Sequence, residues 1–138
     1  MTTKPIQHLH VLIKAKVANP QALDPRGLCK WMRGIVDEQG MKMVIAPRVF
    51  IVEEEGNEGP TGSCNLATSH FAIHVWDKKN MVQADLYTCG DLNVKKLINQ
   101  FDVFSIVELE YLVLDRADGF KIIKSGKLSG RNSITRGE

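Results

Sequence analysis

The sequence predicts an α+β fold: two similar β-α-β-β-type halves forming one antiparallel sheet with both helices on one face, a two-layer sandwich. Three observations carry this. Apolar residues alternate with period two in several segments, two other segments show helical spacing, and turn residues separate them in the order β, α, β, β then β, β, α, β. A chain of 138 residues, 43% hydrophobic and 25% charged, is long enough for one compact core and short for two.

The first strand spans Ile6 to Val17, with Leu9, Val11, Ile13, Ala15 and Val17 on one face and His8, His10, Lys14 and Lys16 on the other. Asn19 and Pro20 end it. Asp24 is placed to cap a helix with Pro25 at its first position, where a missing N–H costs nothing. The stripe Leu28, Trp31 or Met32, Ile35 and Val36 marks the buried side, and Gly40 suits a left-handed terminus. Met41 to Val52 is strand-like, with Pro47 at an edge or bulge. The acidic, turn-rich run Glu53 to Gly62 predicts a loop. Strands follow at Asn65–Ala67, Phe71–Trp76 and Met81–Thr88, the last two joined by the turn Asp77-Lys78-Lys79-Asn80. Asp91 is the expected cap of a second helix carrying Leu92, Leu97, Ile98 and Phe101, and Val103 to Leu114 is the closing strand.

The net charge of +2 is uneven. Residues 1–120 hold 13 Lys and Arg against 15 Asp and Glu, whereas residues 121–138 hold 5 against 1. We therefore expect a single domain over 1–120 and a basic flexible tail over 121–138, since the run from Lys124 to Ser133 has little apolar content to offset ordering. Nucleic-acid binding is not expected, because no aromatics interleave with the basic residues. The longest apolar stretches, near Val11 to Ile13 and Ile106 to Leu114, fall far short of the roughly 20 residues that span a bilayer. The N-terminus lacks an apolar signal region, and Cys29, Cys64 and Cys89 are odd in number without CxxC spacing. A reducing, cytoplasmic location is expected.

His8 and His10, and separately His70 and His74, share strand faces, but no acidic or thiolate ligand stands at a fixed spacing beside them, so no metal is expected. A different signal runs through Leu66-Ala67-Thr68-Ser69-His70, Ile73-His74-Val75-Trp76 and Tyr87-Thr88-Cys89-Gly90. In motif and spacing this pattern resembles the prokaryotic S-adenosylmethionine decarboxylase proenzymes, and at the level of pattern the resemblance extends over roughly residues 6 to 115. It implies self-cleavage between Thr68 and Ser69, giving a β chain 1–68 and an α chain 69–138. Ser69 would become a pyruvoyl group that forms the Schiff base with substrate, with no external cofactor. His74 would accept a proton in processing, Cys89 would donate one in decarboxylation, and Thr61 would assist cleavage. Trp76 and Asp77 would contact substrate, and the active unit would be a homodimer of cleaved protomers serving spermidine and polyamine synthesis.

The chain departs from the family pattern at three places. Thr68 replaces the usual Glu before the cleavage serine, which leaves open an uncleaved, inactive relative. Lys78 stands where the family has a ribose-binding Glu, with Asp77 as its possible substitute. The aromatic that stacks on adenine is missing from Glu55-Gly56-Asn57-Glu58, and Phe50 is the nearest candidate if the loop is rearranged. A smaller substrate, L-ornithine or L-arginine, with its cationic end on the acidic loop Glu53, Glu54, Glu55 and Glu58, is the alternative.

Overall fold

The computed structural model describes residues 8–117 and 119–130. Its elements are β1 (Leu9–Val17), α1 (Pro25–Glu38), β2 (Met43–Val52), β3 (Gly59–Leu66), β4 (His70–Trp76), β5 (Met81–Thr88), α2 (Val94–Asn99), a 3-10 turn (Gln100–Phe104), β6 (Ile106–Asp115) and β7 (Lys121–Ser129). The strands form one antiparallel sheet in the order β2-β3-β4-β5-β1-β6-β7. Hairpin connections place β2 to β5 in sequence, and β1 enters between β5 and β6 through pairings distant along the chain. The α+β sandwich read from the sequence is the fold observed.

Alternation decides which face is covered. Val11, Ile13 and Ala15 of β1 and Phe71, Ile73 and Val75 of β4 share one buried cluster with Leu28, Met32, Ile35 and Val36 of α1. Asp24 caps α1 by accepting the Gly27 N–H at 2.7 Å, and Gly40 after its end has φ +70°. Trp31 ties α1 to the rest: its ring meets Phe101 edge-on at 5.1 Å and Phe71 at 6.0 Å, while its indole N–H donates to the Gln100 carbonyl at 2.9 Å. Pro47 lies where the β2–β3 register shifts, on an edge strand as expected.

Four boundaries differ from the sequence reading. The run Gly59 to Gly62, read as loop, is the first half of β3. Gly59 makes this possible, since at φ +142° a β-carbon there would lie 1.9 Å from the Val75 carbonyl oxygen. Asn93, rather than Asp91, caps α2 by accepting the Lys96 N–H at 3.0 Å. Val103 belongs to the 3-10 turn, and β6 starts only after Ser105 turns the chain at φ +58°. Lys121 to Ser129, expected as the start of a flexible tail, is an edge strand paired along β6. The remainder of that tail and the expected start of β1 at Ile6 lie outside the described residues.

The second face of the sheet is not covered by the helices. Residues that pair across neighbouring strands share a face, so the rows are read directly from the register. One row runs Phe50, Thr61, His74, Gln83, Lys14, Glu110, Lys127 across all seven strands. A second, nearer the β3–β4 turn, runs His70, Tyr87, His10, Leu114. Along the first row an open groove of about 720 Å³ is lined by Thr61, His74, Asp85, Leu112, Glu110 and Lys127 among others.

Candidate active site

Ser69 is the last of the three residues between β3 and β4, where its carbonyl accepts the Leu66 N–H at 2.9 Å. The adjoining Thr68 is exposed and Ser69 half-buried. Cys89, just past the end of β5, lies against this turn through the β4–β5 pairing. Its thiol donates to the Thr68 carbonyl oxygen at 3.3 Å, and its backbone N–H donates to the Ser69 hydroxyl oxygen at 3.3 Å. One residue thus contacts both the Thr68 carbonyl and the Ser69 hydroxyl. Twenty positions of sequence separate Cys89 from Ser69, and two adjacent strands bring them together.

Around this peptide the structure assembles side chains to which the sequence reading assigned no role. Tyr87 and His8 share a hydrogen bond of 2.5 Å, and the Cys89 sulfur lies 3.8 Å from the Tyr87 hydroxyl and 3.7 Å from His8 Nδ1. The Arg116 guanidinium sits 4.3 Å over the Tyr87 ring. Burial first, and then the hydrogen bond from Cys89, pushes the Tyr87 phenol above its ordinary range and keeps it protonated. The signal available in the sequence was alternation: Tyr87 and Asp85 are polar positions on the face of β5 that leaves the core.

Asp85 joins His10 and His70, accepting from Nε2 of each at 2.8 Å. The three ligand atoms lie within 4.8 Å of one another, which raises the question of a metal. Proton accounting answers it. Arg116 contacts His10 Nδ1 at 3.2 Å, and because a guanidinium can only donate, Nδ1 is the acceptor and Nε2 carries the hydrogen that reaches Asp85. A metal on Nε2 would force a hydrogen onto Nδ1, opposite the guanidinium. The donor set fits an Arg116–His10–Asp85–His70 hydrogen-bond network rather than a cation.

The remaining predicted residues form a second group. His74 contacts the Asn57 carbonyl at 3.0 Å and meets the Trp76 ring edge-on at 4.3 Å, while the Trp76 indole N–H donates to the Asn57 side-chain oxygen at 3.0 Å. Thr61, opposite His74, donates its hydroxyl to the Ile73 carbonyl at 3.3 Å. Asp77 keeps one carboxylate oxygen buried without a partner among the described residues. Lys78 pairs with Glu58 at 3.2 Å, and Asn57 donates to Glu54 at 3.2 Å, so two of the loop carboxylates are engaged. Phe50, 66% exposed, stands in the same row as Thr61 and His74 with no rearrangement of the loop. His74 is four residues of extended strand beyond His70, about 13 Å, so the second group does not meet Ser69 within one chain. Cys64 is buried in the core, which raises its thiol pKa, and Cys29 contacts the Pro47 carbonyl at 3.6 Å; neither belongs to either group.

Fold and site define a class: a two-layer α+β domain whose polar residues gather on the sheet face that the helices leave open. The S-adenosylmethionine decarboxylase family profile matches residues 9–116. The S-adenosylmethionine decarboxylase proenzyme of Archaeoglobus fulgidus is 32% identical over 87 residues, covering 62% of this chain and 78% of that protein. That of Aquifex aeolicus is 36% identical over 66 residues, covering 38% and 49%. The crystal structure of the adenosylmethionine decarboxylase from Aquifex aeolicus shares the fold, with a TM-score of 0.67 at 19% identity over 89% of this chain and 99% of that one. This chain belongs to the S-adenosylmethionine decarboxylase family, a family of carboxy-lyases.

Proposed function

We propose that the chain is a proenzyme that cleaves itself between Thr68 and Ser69 and then decarboxylates S-adenosylmethionine for spermidine and other polyamines. The observation that carries this reading is the double hold of Cys89 on the Thr68–Ser69 peptide. A thiol proton on the Thr68 carbonyl oxygen draws electrons from its carbon. The Ser69 oxygen adds there, the C–N bond breaks with the hydroxyl proton passing to nitrogen, and Thr68 is left as an ester of Ser69. Removal of the Ser69 Cα proton by His74 then breaks the Cβ–O bond and releases Thr68 as a carboxylate. The dehydroalanyl residue that remains moves a proton from nitrogen to Cβ and becomes an imine, from which water displaces ammonia to leave a pyruvoyl group at the head of residues 69–138. That carbonyl group supplies an electron sink for decarboxylation. Cys89 gives the proton that replaces carbon dioxide, a role for which its position against Ser69 suits it.

The separation of the two groups supports a dimer. Within one chain His74 is about 13 Å of strand away from the Ser69 turn. A second copy stacked on the open sheet face would bring its own His74, Thr61 and Trp76 to that turn and would cover the groove. Phe50 would then offer a face to adenine in place of the missing loop aromatic, while Trp76 and Asp77 line the same pocket. With Glu58 held by Lys78 and Glu54 by Asn57, the acidic loop has less to offer the cationic end of ornithine or arginine. The free cysteines fit a reducing cytoplasm, and among the described residues no helix is long and apolar enough to cross a membrane.

Intact mass under denaturing conditions tests the first step. Two species, 1–68 and 69–138, the second starting with pyruvoyl in place of serine, are expected. A single 15.4 kDa species that persists on incubation overturns the reading. Carbon dioxide release from S-adenosylmethionine, ornithine and arginine then separates the substrates.

A further inference from the structure

We infer that His8, acting through Tyr87, is the positioning residue that returns a proton to Cys89 after each turnover. The inference rests on the reading of Cys89 as proton donor, and it begins from a balance that reading leaves open. Decarboxylation replaces a carboxylate with hydrogen, so each cycle consumes one proton. If Cys89 supplies it, the thiol becomes a thiolate on a part-buried sulfur, and the next cycle waits until a proton is restored.

The groups that can restore it already touch the sulfur. The Tyr87 hydroxyl is 3.8 Å from Sγ and shares a 2.5 Å hydrogen bond with His8 Nδ1, which is itself 3.7 Å from Sγ. The proton passes from the Tyr87 hydroxyl to sulfur while His8 gives its own to the Tyr87 oxygen. His8 is replenished from water, and the sum over the cycle is one solvent proton into product. The arrangement is held from two sides. The Arg116 backbone N–H donates to the His8 carbonyl at 2.7 Å, and its guanidinium covers the Tyr87 ring, which lies nearly parallel to the His8 ring at 6.1 Å. His10, two residues on, is excluded from the same task because Arg116 and Asp85 occupy both of its ring nitrogens.

The test refers the kcat of each variant to its cleaved, pyruvoyl-bearing fraction, measured by intact mass, because Cys89→Ala is also expected to slow cleavage. His8→Asn keeps a hydrogen-bonding atom near the Nδ1 position and removes the exchangeable ring proton. Tyr87→Phe removes the bridging hydroxyl and keeps the ring. Both are expected to lower kcat at least tenfold with KM within twofold of the parent, and added imidazole is expected to restore His8→Asn but not Cys89→Ala. Unchanged kcat in both variants, or a loss that imidazole leaves in place, overturns the relay. A Cys89→Ala enzyme that turns over at the parental rate overturns the reading of Cys89 itself, and the relay with it. Loss in Cys89→Ala with none in the other two refutes the relay alone.

Discussion

Single residues set the chemistry of the two groups, and each can be questioned singly. Phe50 projects from an edge strand into the row of Thr61 and His74, where its 66% exposure is otherwise unexplained. Base stacking on an aromatic contributes about 1–3 kcal/mol, so Phe50→Ala should raise KM for S-adenosylmethionine about 5- to 150-fold with little change in kcat. Steady-state kinetics on cleaved enzyme measures this. Glu58 bears on the loop behind that row. A hydrogen bond from its own backbone and then the Lys78 ammonium hold its carboxyl below the ordinary glutamate value. A group whose pKa is lower folded than unfolded adds stability above its unfolded value and loses it as pH falls through the folded one. The pin between Glu58 and Lys78 should therefore release only on acidification below the usual glutamate range. In Lys78→Ala the Glu58 titration, followed by NMR, should move up toward that range.

At the scale of elements, glycine placement explains what hydrophobic pattern does not. Gly59 lets β3 begin two residues before Thr61 and carry it opposite His74. Gly59→Ala adds both a left-handed backbone penalty and a β-carbon 1.9 Å from the Val75 oxygen, and should cost about 2–4 kcal/mol. Urea unfolding reads the loss, and Gly56→Ala, where φ is +90° but no atom lies within 4 Å of the added carbon, separates the backbone share from the clash. The same scale shows why β1, α1, β4 and β5 were legible and β3 and β7 were not. β1 and β4 alternate against a core, and α1 has a capped start and a buried stripe. β3 opens with Gly59-Pro60-Thr61-Gly62, residues that locally favour turns and become strand only between two neighbours. β7 has Ile122, Ile123 and Leu128 exposed and lysines interspersed, so nothing in its pattern points to a core; its pairing with β6 is what makes it a strand.

For the whole molecule, the proposed function implies that one chain carries two groups of site residues that meet only across two copies. Ser69 and Cys89 meet at one end of the open face, and Thr61 and His74 stand in a row about 13 Å farther along β4. If a second copy completes the site, defects in the two halves complement each other. His74→Ala and Ser69→Ala should each remain uncleaved alone. Co-expressed, the His74→Ala chain should be cut, because its own Ser69 meets the intact His74 of the other copy. Intact mass distinguishes the two chains, and failure of cleavage in the mixture would place the proton acceptor within one chain.

Local pattern alone carries the fold class, the α1 cap at Asp24 with Pro25 in the first helical position, the strand faces, and the triplet of motifs that holds Ser69, His74 and Cys89. These are local quantities, since period, capping and spacing are written along the chain. Tertiary pairing is what puts Cys89 against both the Thr68 carbonyl and the Ser69 hydroxyl, Tyr87 and His8 against the Cys89 sulfur, and Asp85 and Arg116 against His10, and what leaves His74 apart. Those contacts join residues on β1, β4, β5 and the end of β6, and strand register, which no segment specifies alone, is what brings them within hydrogen-bond distance.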